Sequence, residues 1–442
     1  MPIGSRALDL LIFLLERAGD LVSKEELMRR VWPETHVVGG NLTVHIAALR
    51  RILKDGRDGR RYIVNIPGRG YRFVEPVRAA LSGRFTSEIP RHNLPSRLTR
   101  LIGRDRIVHD FAEQLLRQRL ATMTGPAGVG KCSVAHAVAE LLVPSCRDGV
   151  WRVDLATIAD SDGVAGAVLA ALGPGAGSSS ALGSLAAALR DKQMLLVLGN
   201  CDNVLTGAAS LAVTLLEAAP AVHVLATSRE PMRTEGDHVH ALPPLACPPA
   251  DPSITAAQAL GYPAVELFVE RAAATLGSYD LVDADAPVVA QICRKLDGIP
   301  LAIELAAGRV DVFGLRALAE HVCDDLTLLS GNPRSADARH RSMEAALDSS
   351  YALLTAEQAE VFRRLGVLGG PFTLDTASAF ASQRSPGRIA EQVAELAAKS
   401  LLVTEPDATE PRFRMLETTR KYALRKLAES GELRPRPRSH AA

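Results

Sequence analysis

Cysteine is scarce. The six present, Cys132, Cys146, Cys201, Cys247, Cys293 and Cys323, form no C-x-x-C pair and no Cys/His spacing suited to zinc. That excludes a disulfide-built secreted scaffold and points to a reducing, cytoplasmic setting. Aromatic residues make up only 4% of the chain, so its cores are expected to be rich in Ala and Leu. No apolar run approaches the ~18 residues of a membrane span. Residues 8–15 are apolar, but they contain Asp9, run into Glu16 and lack a small-residue cleavage site, so they read as a helix and not as a signal peptide. A dominant charge is missing too: the formal net charge is +1, which excludes a uniformly basic nucleic-acid coat. No fixed-period repeat is visible.

What is there is a folded, multidomain composition: 442 residues, 47% hydrophobic and 23% charged, long enough for roughly three units at ~150 residues each. The near-neutral total hides an asymmetry. Residues 1–78 hold fourteen Lys/Arg against nine Asp/Glu, a block of +5 joined to a remainder of −4. Composition shifts predict the divisions 1–78, a Ser/Arg/Pro/Gly linker 79–95, an alternating strand and helix segment 96–245, a helical segment 246–335, a further segment 336–430 and a tail 431–442 whose RPRPRSHAA run predicts disorder. Gly and Pro mark breaks near Gly331 and Pro333 and again at 369–371, and GPGAGSSS at 173–180 reads as a flexible loop.

In the basic block, Ser23 and Glu26 form a capping box ahead of a helix that Pro33 stops. A second helix is predicted over 41–54. Leu42, Ile46, Leu49 and Leu53 give it one buried stripe, which leaves Val44, Ala48 and Arg51 on the opposite face and Asn41 and His45 at its margin. Small side chains plus arginine suit close entry into a DNA groove. Asn41 reads equally as a helix N-cap, His45 as a phosphate contact, and Arg50 as a solvated or phosphate-side charge. Residues 62–66 and 71–74 alternate on either side of Pro67-Gly68-Arg69-Gly70, a β-hairpin with a basic tip.

Helix, helix, hairpin is a winged helix-turn-helix. The segments LVSKEELMRRVW, NLTVHIAALRRIL and YIVNIPGRGYRFV resemble the OmpR/PhoB-type effector domain of bacterial transcription regulators over residues 7–77. The resemblance implies double-stranded promoter DNA as partner, with contacts from Asn41, Val44, His45, Ala48 and Arg51 and a wing contact from Arg69. Domains of that family open with a small antiparallel sheet, whereas only residues 1–6 precede the first helix here, so reduced independent stability is expected.

Residues 120–124 form an apolar strand that runs into Gly125-Pro-Ala-Gly-Val-Gly-Lys131 and then a helical pattern. In G-x-x-x-x-G-K the glycines let backbone N–H groups turn toward a polyphosphate, the helix N-terminus adds partial positive charge, and the lysine reaches the terminal phosphates. The following position, where a Ser or Thr hydroxyl ligates Mg²⁺, holds Cys132, whose soft sulfur suits that hard cation poorly and whose structural alternative is a buried thiol. Ser133 cannot replace it, because one helical step turns a side chain by about 100°. The strand at 194–198 ends in Gly199 where a metal-shell aspartate belongs. Asp202, three residues on, reads as a helix cap or a weaker acidic substitute, and Arg229 after the strand 222–226 as a γ-phosphate sensor or a surface arginine.

With LIGR at 101–104, LLVLGNCDN, VLATSREP, DGIPLAIELAAGRV and FRMLETTRKYALRKL, residues 94–427 resemble the NB-ARC/STAND class of P-loop NTPases. The resemblance implies a central α/β P-loop NTPase with a parallel sheet and a C-terminal helical and winged-helix region. It also implies ATP or ADP held by Gly125, Gly128, Val129, Gly130, Lys131, Cys132 and Arg229, with Pro300 against the base, Gly103 and Arg104 near it, and a second winged helix over 342–428. Family members usually continue into a long helical sensor, whereas this chain stops soon after Tyr422. Losing both the hydroxyl and the carboxylate argues for a site that binds nucleotide without efficient hydrolysis, no catalytic residue and little use for Mg²⁺. The expected function is a DNA-binding transcription regulator with a nucleotide-holding switch that is open to self-association. The alternatives are an active ATPase using Lys131 and Arg229, and an oligomerising scaffold with weak DNA binding.

Overall fold

The computed structural model describes residues 5–17, 19–31, 40–53, 55, 61–66, 69–74, 92–97, 99–172, 182–321, 328–330, 341–381, 385–405 and 410–432. Most of the predicted linker, the Gly/Ser loop at 173–180, Cys323, Gly331, Pro333 and the tail from 433 lie outside the described residues. The chain divides into two compact units, Met1–Glu88 and Ile89–Ala442.

The first unit packs helices Ser5–Glu16, Lys24–Val31 and Gly40–Ile52 around an antiparallel hairpin of β1 (Ile63–Ile66) and β2 (Gly70–Phe73), in register Ile63 with Phe73 and Ile66 with Gly70. A bridge from Val22 to Tyr71 adds a third edge. The capping box is formed: Glu26 N donates to Ser23 Oγ at 3.2 Å, and Ser23 N donates back to Glu26 Oε2 at 2.9 Å. Leu42, Ile46 and Leu49 are buried with Leu10, Leu14, Leu27 and Phe73, and Leu53 packs against that core. Arg50 departs from expectation. Its Nη2 donates to Ile63 O at 2.9 Å, and its Nε lies 3.4 Å from Asp55, whose Oδ1 in turn accepts from Tyr62 N at 2.7 Å. It pins the hairpin to the helix, because the carbonyl that opens β1 needs a donor.

The second unit carries a five-stranded, all-parallel sheet of β3 (Leu120–Thr124), β4 (Val150–Asp154), β5 (Met194–Gly199), β6 (Val222–Thr227) and β7 (His238–Ala241), in spatial order β4-β5-β6-β3-β7. Strands buried on both faces read as continuous apolar runs, which is why MLLVLG is apolar throughout. Successive residues alternate between two cores. Leu195 and Val197 pack under helices Asp105–Gln118 and Lys131–Leu142, while Leu196 and Leu198 pack under Gly163–Leu172, Leu182–Leu189 and Leu205–Ala218. The strands β4 and β7 lie beyond the three named from periodicity.

Helices Ala256–Ala259, Pro263–Leu276, Ala286–Lys295, Pro300–Ala307 and Val310–His321 follow, then Met343–Tyr351, Ala356–Leu365, Leu374–Ala381 and Pro386–Ala398, the hairpin β8 (Val403–Glu405) with β9 (Arg412–Arg414), and helix Glu417–Glu429. The core on the Leu195 side of the sheet continues without interruption into this helical region. Tyr422 is fully buried, its hydroxyl donating to Asp348 Oδ1 and its ring stacked edge-on to Tyr351. Among the described residues no helix is long and apolar enough to cross a membrane.

Candidate functional site

Ligands of open parallel sheets bind beyond the carboxyl ends of the strands. Here a cleft of about 620 Å³ opens at those ends and is lined by residues 127–134, Asn200, Asp202, Arg229 and Pro300. That volume is in the range of small-molecule sites.

The loop after β3 sets the floor. Gly125, Gly128 and Gly130 take φ of +148°, +78° and +96°, conformations that side chains disfavour. Gly130 caps helix Lys131–Leu142 and has no side chain to bond its first turn, whose residues 131–134 line the cleft. Lys131 Nζ donates to Gly125 O at 2.7 Å and to Pro126 O at 3.2 Å. Gly125 itself is one step back from the cleft lining, whereas Gly128, Val129, Gly130, Lys131 and Cys132 line it.

Pro300 reaches the same cleft through a backbone junction. Leu301 N donates to Gly128 O at 3.1 Å, and a Cβ on Gly128 would meet Leu301 Cβ at 2.9 Å. Gly298, at φ +67°, lies so close to Leu245 that a Cβ there would fall 2.1 Å from its carbonyl oxygen. The D-G-I-P segment is therefore held on one side against the phosphate-type loop at Gly128 and on the other against Leu245 at Gly298. Arg104 also lines the cleft. It is 3% exposed, and its guanidinium makes one long bond, 3.4 Å to Val129 O; burial depresses its pKa to about 10, so it stays charged at neutral pH.

At the strand ends the polar groups are already engaged. Cys132 is partly exposed in the cleft wall and not buried as its structural reading expected; its Sγ lies 3.5 Å from Asn200 Oδ1 and 3.8 Å from Thr227 Oγ1. Asn200 N donates to Thr227 Oγ1 at 3.0 Å, and its Nδ2 donates to Asp154 Oδ1 at 2.9 Å. Gly199 ends β5 as expected and brings no side chain. Asp202 caps no helix: helix Leu205–Ala218 begins after Val204 with no side-chain cap. Its Oδ1 instead accepts from Arg229 N at 2.7 Å and Ser228 Oγ at 3.2 Å, and its Oδ2 lies 3.7 Å from Arg229 Nε. The tight turn after β6 exposes backbone donors that the carboxylate satisfies.

A hard octahedral cation needs several free oxygens. The group around Cys132 offers sulfur, an amide and a Thr227 hydroxyl that accepts from Asn200 N, and the Oδ1 atoms of Asp154 and Asp202 accept from protein donors, so this set fits Mg²⁺ poorly. Among the described residues no cluster of three or more His, Cys, Asp or Glu is arranged for a metal.

Periodicity and motif reading missed Arg97, Arg100, Arg152, Arg271 and His136, which also line the cleft. Nothing in their local sequence marks them; the fold brings them in from the segment before the first helix, from β4, from helix Pro263–Leu276 and from the P-loop helix. His136 is buried, with Nε2 3.2 Å from Glu140 Oε1, and burial lowers its pKa against the pull of that carboxylate.

In the first unit, His45 and Ala48 are partly buried on helix Gly40–Ile52, and Arg69 is exposed in the turn between β1 and β2. Asn41, Val44 and Arg51 fall on the same helix, but their side chains lie outside the described residues.

Residues 1–73 match the family described as "Transcriptional regulatory protein, C terminal", and residues 354–428 match the "Winged helix-turn-helix domain". A Mycobacterium tuberculosis protein named as an HTH-type transcriptional regulator is 39% identical over 321 residues, covering 72% of this chain and 35% of its own length. An uncharacterised protein of the same organism is 34% identical over 350 residues, covering 77% of this chain and 85% of its own length. The solved DNA-binding domain of Escherichia coli CadC is 34% identical, covering 17% of this chain and 72% of its own, with a TM-score of 0.17. The chain spans 35% of the length of the named regulator it matches. With a regulator-type winged helix matched at residues 1–73, a parallel sheet behind a G-x-x-x-x-G-K loop and a second winged-helix match at residues 354–428, the chain belongs to the family of these mycobacterial proteins.

Proposed function

We propose that the chain is a cytoplasmic DNA-binding transcription regulator. Its first unit binds promoter DNA, and its P-loop unit holds ATP or ADP as a switch. The observation that carries the reading is the winged helix of residues 1–73, whose helix Gly40–Ile52 buries one stripe and whose hairpin turn presents Arg69 to solvent. Asn41, Val44, His45, Ala48 and Arg51 form the groove-facing set, and Arg69 contacts the backbone beside it. Phosphate contacts make such binding fall with salt, by a log–log slope of about −0.9 per phosphate neutralised. Base contacts add about 1–3 kcal/mol each.

The nucleotide is supported by the glycine geometry, the uncapped helix start, Lys131 and the buried charge of Arg104. Differential affinity of two conformations for the nucleotide would drive the switch. The domain division follows the sequence boundaries: 1–78 for DNA, 96–245 for nucleotide, 246–335 and 336–430 as the closing region.

Selection of random-library DNA by the purified full chain, with and without ATP, tests the reading. Enrichment of a defined motif is expected, and Arg51→Ala should weaken binding to it. Equal affinity for the selected and scrambled sequences would defeat sequence reading.

A further inference from the structure

The residues near Cys132 reject a divalent cation, yet a nucleoside polyphosphate brings several negative charges into the cleft. Something else must balance them. The carboxylates lining the cleft among the described residues are Asp202 and Glu304; the first is bound to Arg229 and the second to Arg271 through Nε at 3.0 Å and Nη2 at 2.9 Å. The other charged residues of the lining are cationic.

Arg152 is the cation best placed on the Cys132 side. Alternation along β4 puts it on the same face as Val150, the face that helix Lys131–Leu142 covers. Cys132 and His136 are one turn apart on that helix, and the positive charge of Arg152 is one of the influences that depress His136. Arg152 lines the cleft together with Cys132 and His136, and 28% of its side chain is exposed. Its nearest carboxylate, Asp154 Oδ2, is 3.7 Å away, too far for a hydrogen bond, and Asp154 also accepts from Asn200 Nδ2 and Ala156 N. The backbone of Arg152 is fixed at both its N–H and its C=O by one side chain: Asn93 Oδ1 accepts from its N at 2.6 Å, and Asn93 Nδ2 donates to its O at 2.8 Å. A held strand residue with a partly free guanidinium is preorganised for an anion.

We propose that the cleft takes its nucleoside polyphosphate as the metal-free anion, with the Arg152 guanidinium supplying positive charge where related P-loops hold a divalent cation. The inference rests on the nucleotide reading given above and specifies the form of the ligand.

Isothermal titration of the full chain with ATP and with ADP, in EDTA and in excess Mg²⁺, is the test. The wild type should bind in EDTA within about threefold of its Mg²⁺ affinity. Arg152→Ala should lose roughly tenfold or more in EDTA and Arg152→Lys should recover most of it, both keeping the wild-type melting profile, since a charge-assisted contact is removed and no core atom is. A wild type that binds only with Mg²⁺ overturns the proposal and leaves nucleotide binding standing. Unchanged affinity in Arg152→Ala also overturns it. Absence of binding in both media defeats the nucleotide reading and this inference together.

Discussion

Arg229 donates from Nη2 to Ser349 Oγ at 2.6 Å, joining the end of β6 to helix Met343–Tyr351 across 120 residues of chain. The same side chain holds Asp202 in the cleft wall. Two further contacts follow this seam: Ser400 Oγ donates to Arg229 O at 2.6 Å, and Lys399 pairs with Glu230 at 3.0 Å. The arginine expected to sense a phosphate is thus also the residue by which the sheet grips the C-terminal helices.

Removing its carboxylate is therefore costly. Both partners are 11% exposed, and breaking such a pair leaves a buried charge without that counter-ion. Asp202→Ala should lower the stability of the second unit by about 3 kcal/mol in urea unfolding. A loss no larger than that of an exposed pair, about 0–1 kcal/mol, would show that the contact is incidental.

Two glycine substitutions should move stability in opposite directions. Gly298→Ala places a Cβ against the Leu245 carbonyl at a positive φ and should cost more than about 2 kcal/mol, with loss of any nucleotide affinity. Gly166 sits in helix Gly163–Leu172 with nothing within 4 Å of the place a methyl group would take, so Gly166→Ala should stabilise by about 0.5–1 kcal/mol. Thermal melting of the two variants beside the wild type decides it.

In the winged helix, Arg50 and Arg69 should separate folding from binding. Arg50→Ala strips Ile63 O of its donor and should destabilise the first unit by about 1–3 kcal/mol. Arg69→Ala should leave the melting profile unchanged while weakening DNA binding and reducing its salt slope by about 1. Reversed behaviour in calorimetry and fluorescence anisotropy would reassign both.

Restoring the absent ligands tests whether the cleft can support hydrolysis. A Cβ on Gly199 meets only ordinary contacts, Val153 O at 3.5 Å being the nearest, so an aspartate can be carried there. The double variant Cys132→Thr/Gly199→Asp should show Mg²⁺-dependent phosphate release at least about tenfold above the wild type, since metal ions supply charge stabilisation in such transfers. Brisk wild-type turnover would contradict this.

Stability should fall as pH drops below 6.5. Burial lowers the pKa of His136, His223 and His240 from 6.5, so on unfolding each binds protons more readily than when folded. Stability from these groups is full above 6.5 and declines as pH falls through their depressed values. Melting temperatures at pH 7.5 and 5.5 should show the drop, and His240→Gln, which removes the ring stacked at 4.6 Å on Phe111, should flatten part of the slope.

The elements legible beforehand were those with strong local signals. The Ser23 capping box, the Leu42/Ile46/Leu49 stripe, the turn at Arg69 and the glycine loop ahead of Lys131 each follow from contacts within a few residues, so pattern and propensity suffice. Arg50 and Asp202 were misjudged because their partners, Ile63 and Arg229, are 13 and 27 residues away. Local chemistry allows a solvated arginine or a helix cap at those places, and only the packed chain supplies the competing bond.

Residue identity alone removed two oxygen ligands from the cleft: a thiol stands at 132 and no side chain at 199. The composition of its charge was settled by the fold. Arg97, His136, Arg152 and Arg271 come from four separate segments and carry no shared motif, yet the strand order, the alternation along β4 and the docking of the 298–301 segment on Gly128 bring them to one cavity. Sequence periodicity records which face of an element is buried, whereas the meeting of four separate faces depends on how the elements stack.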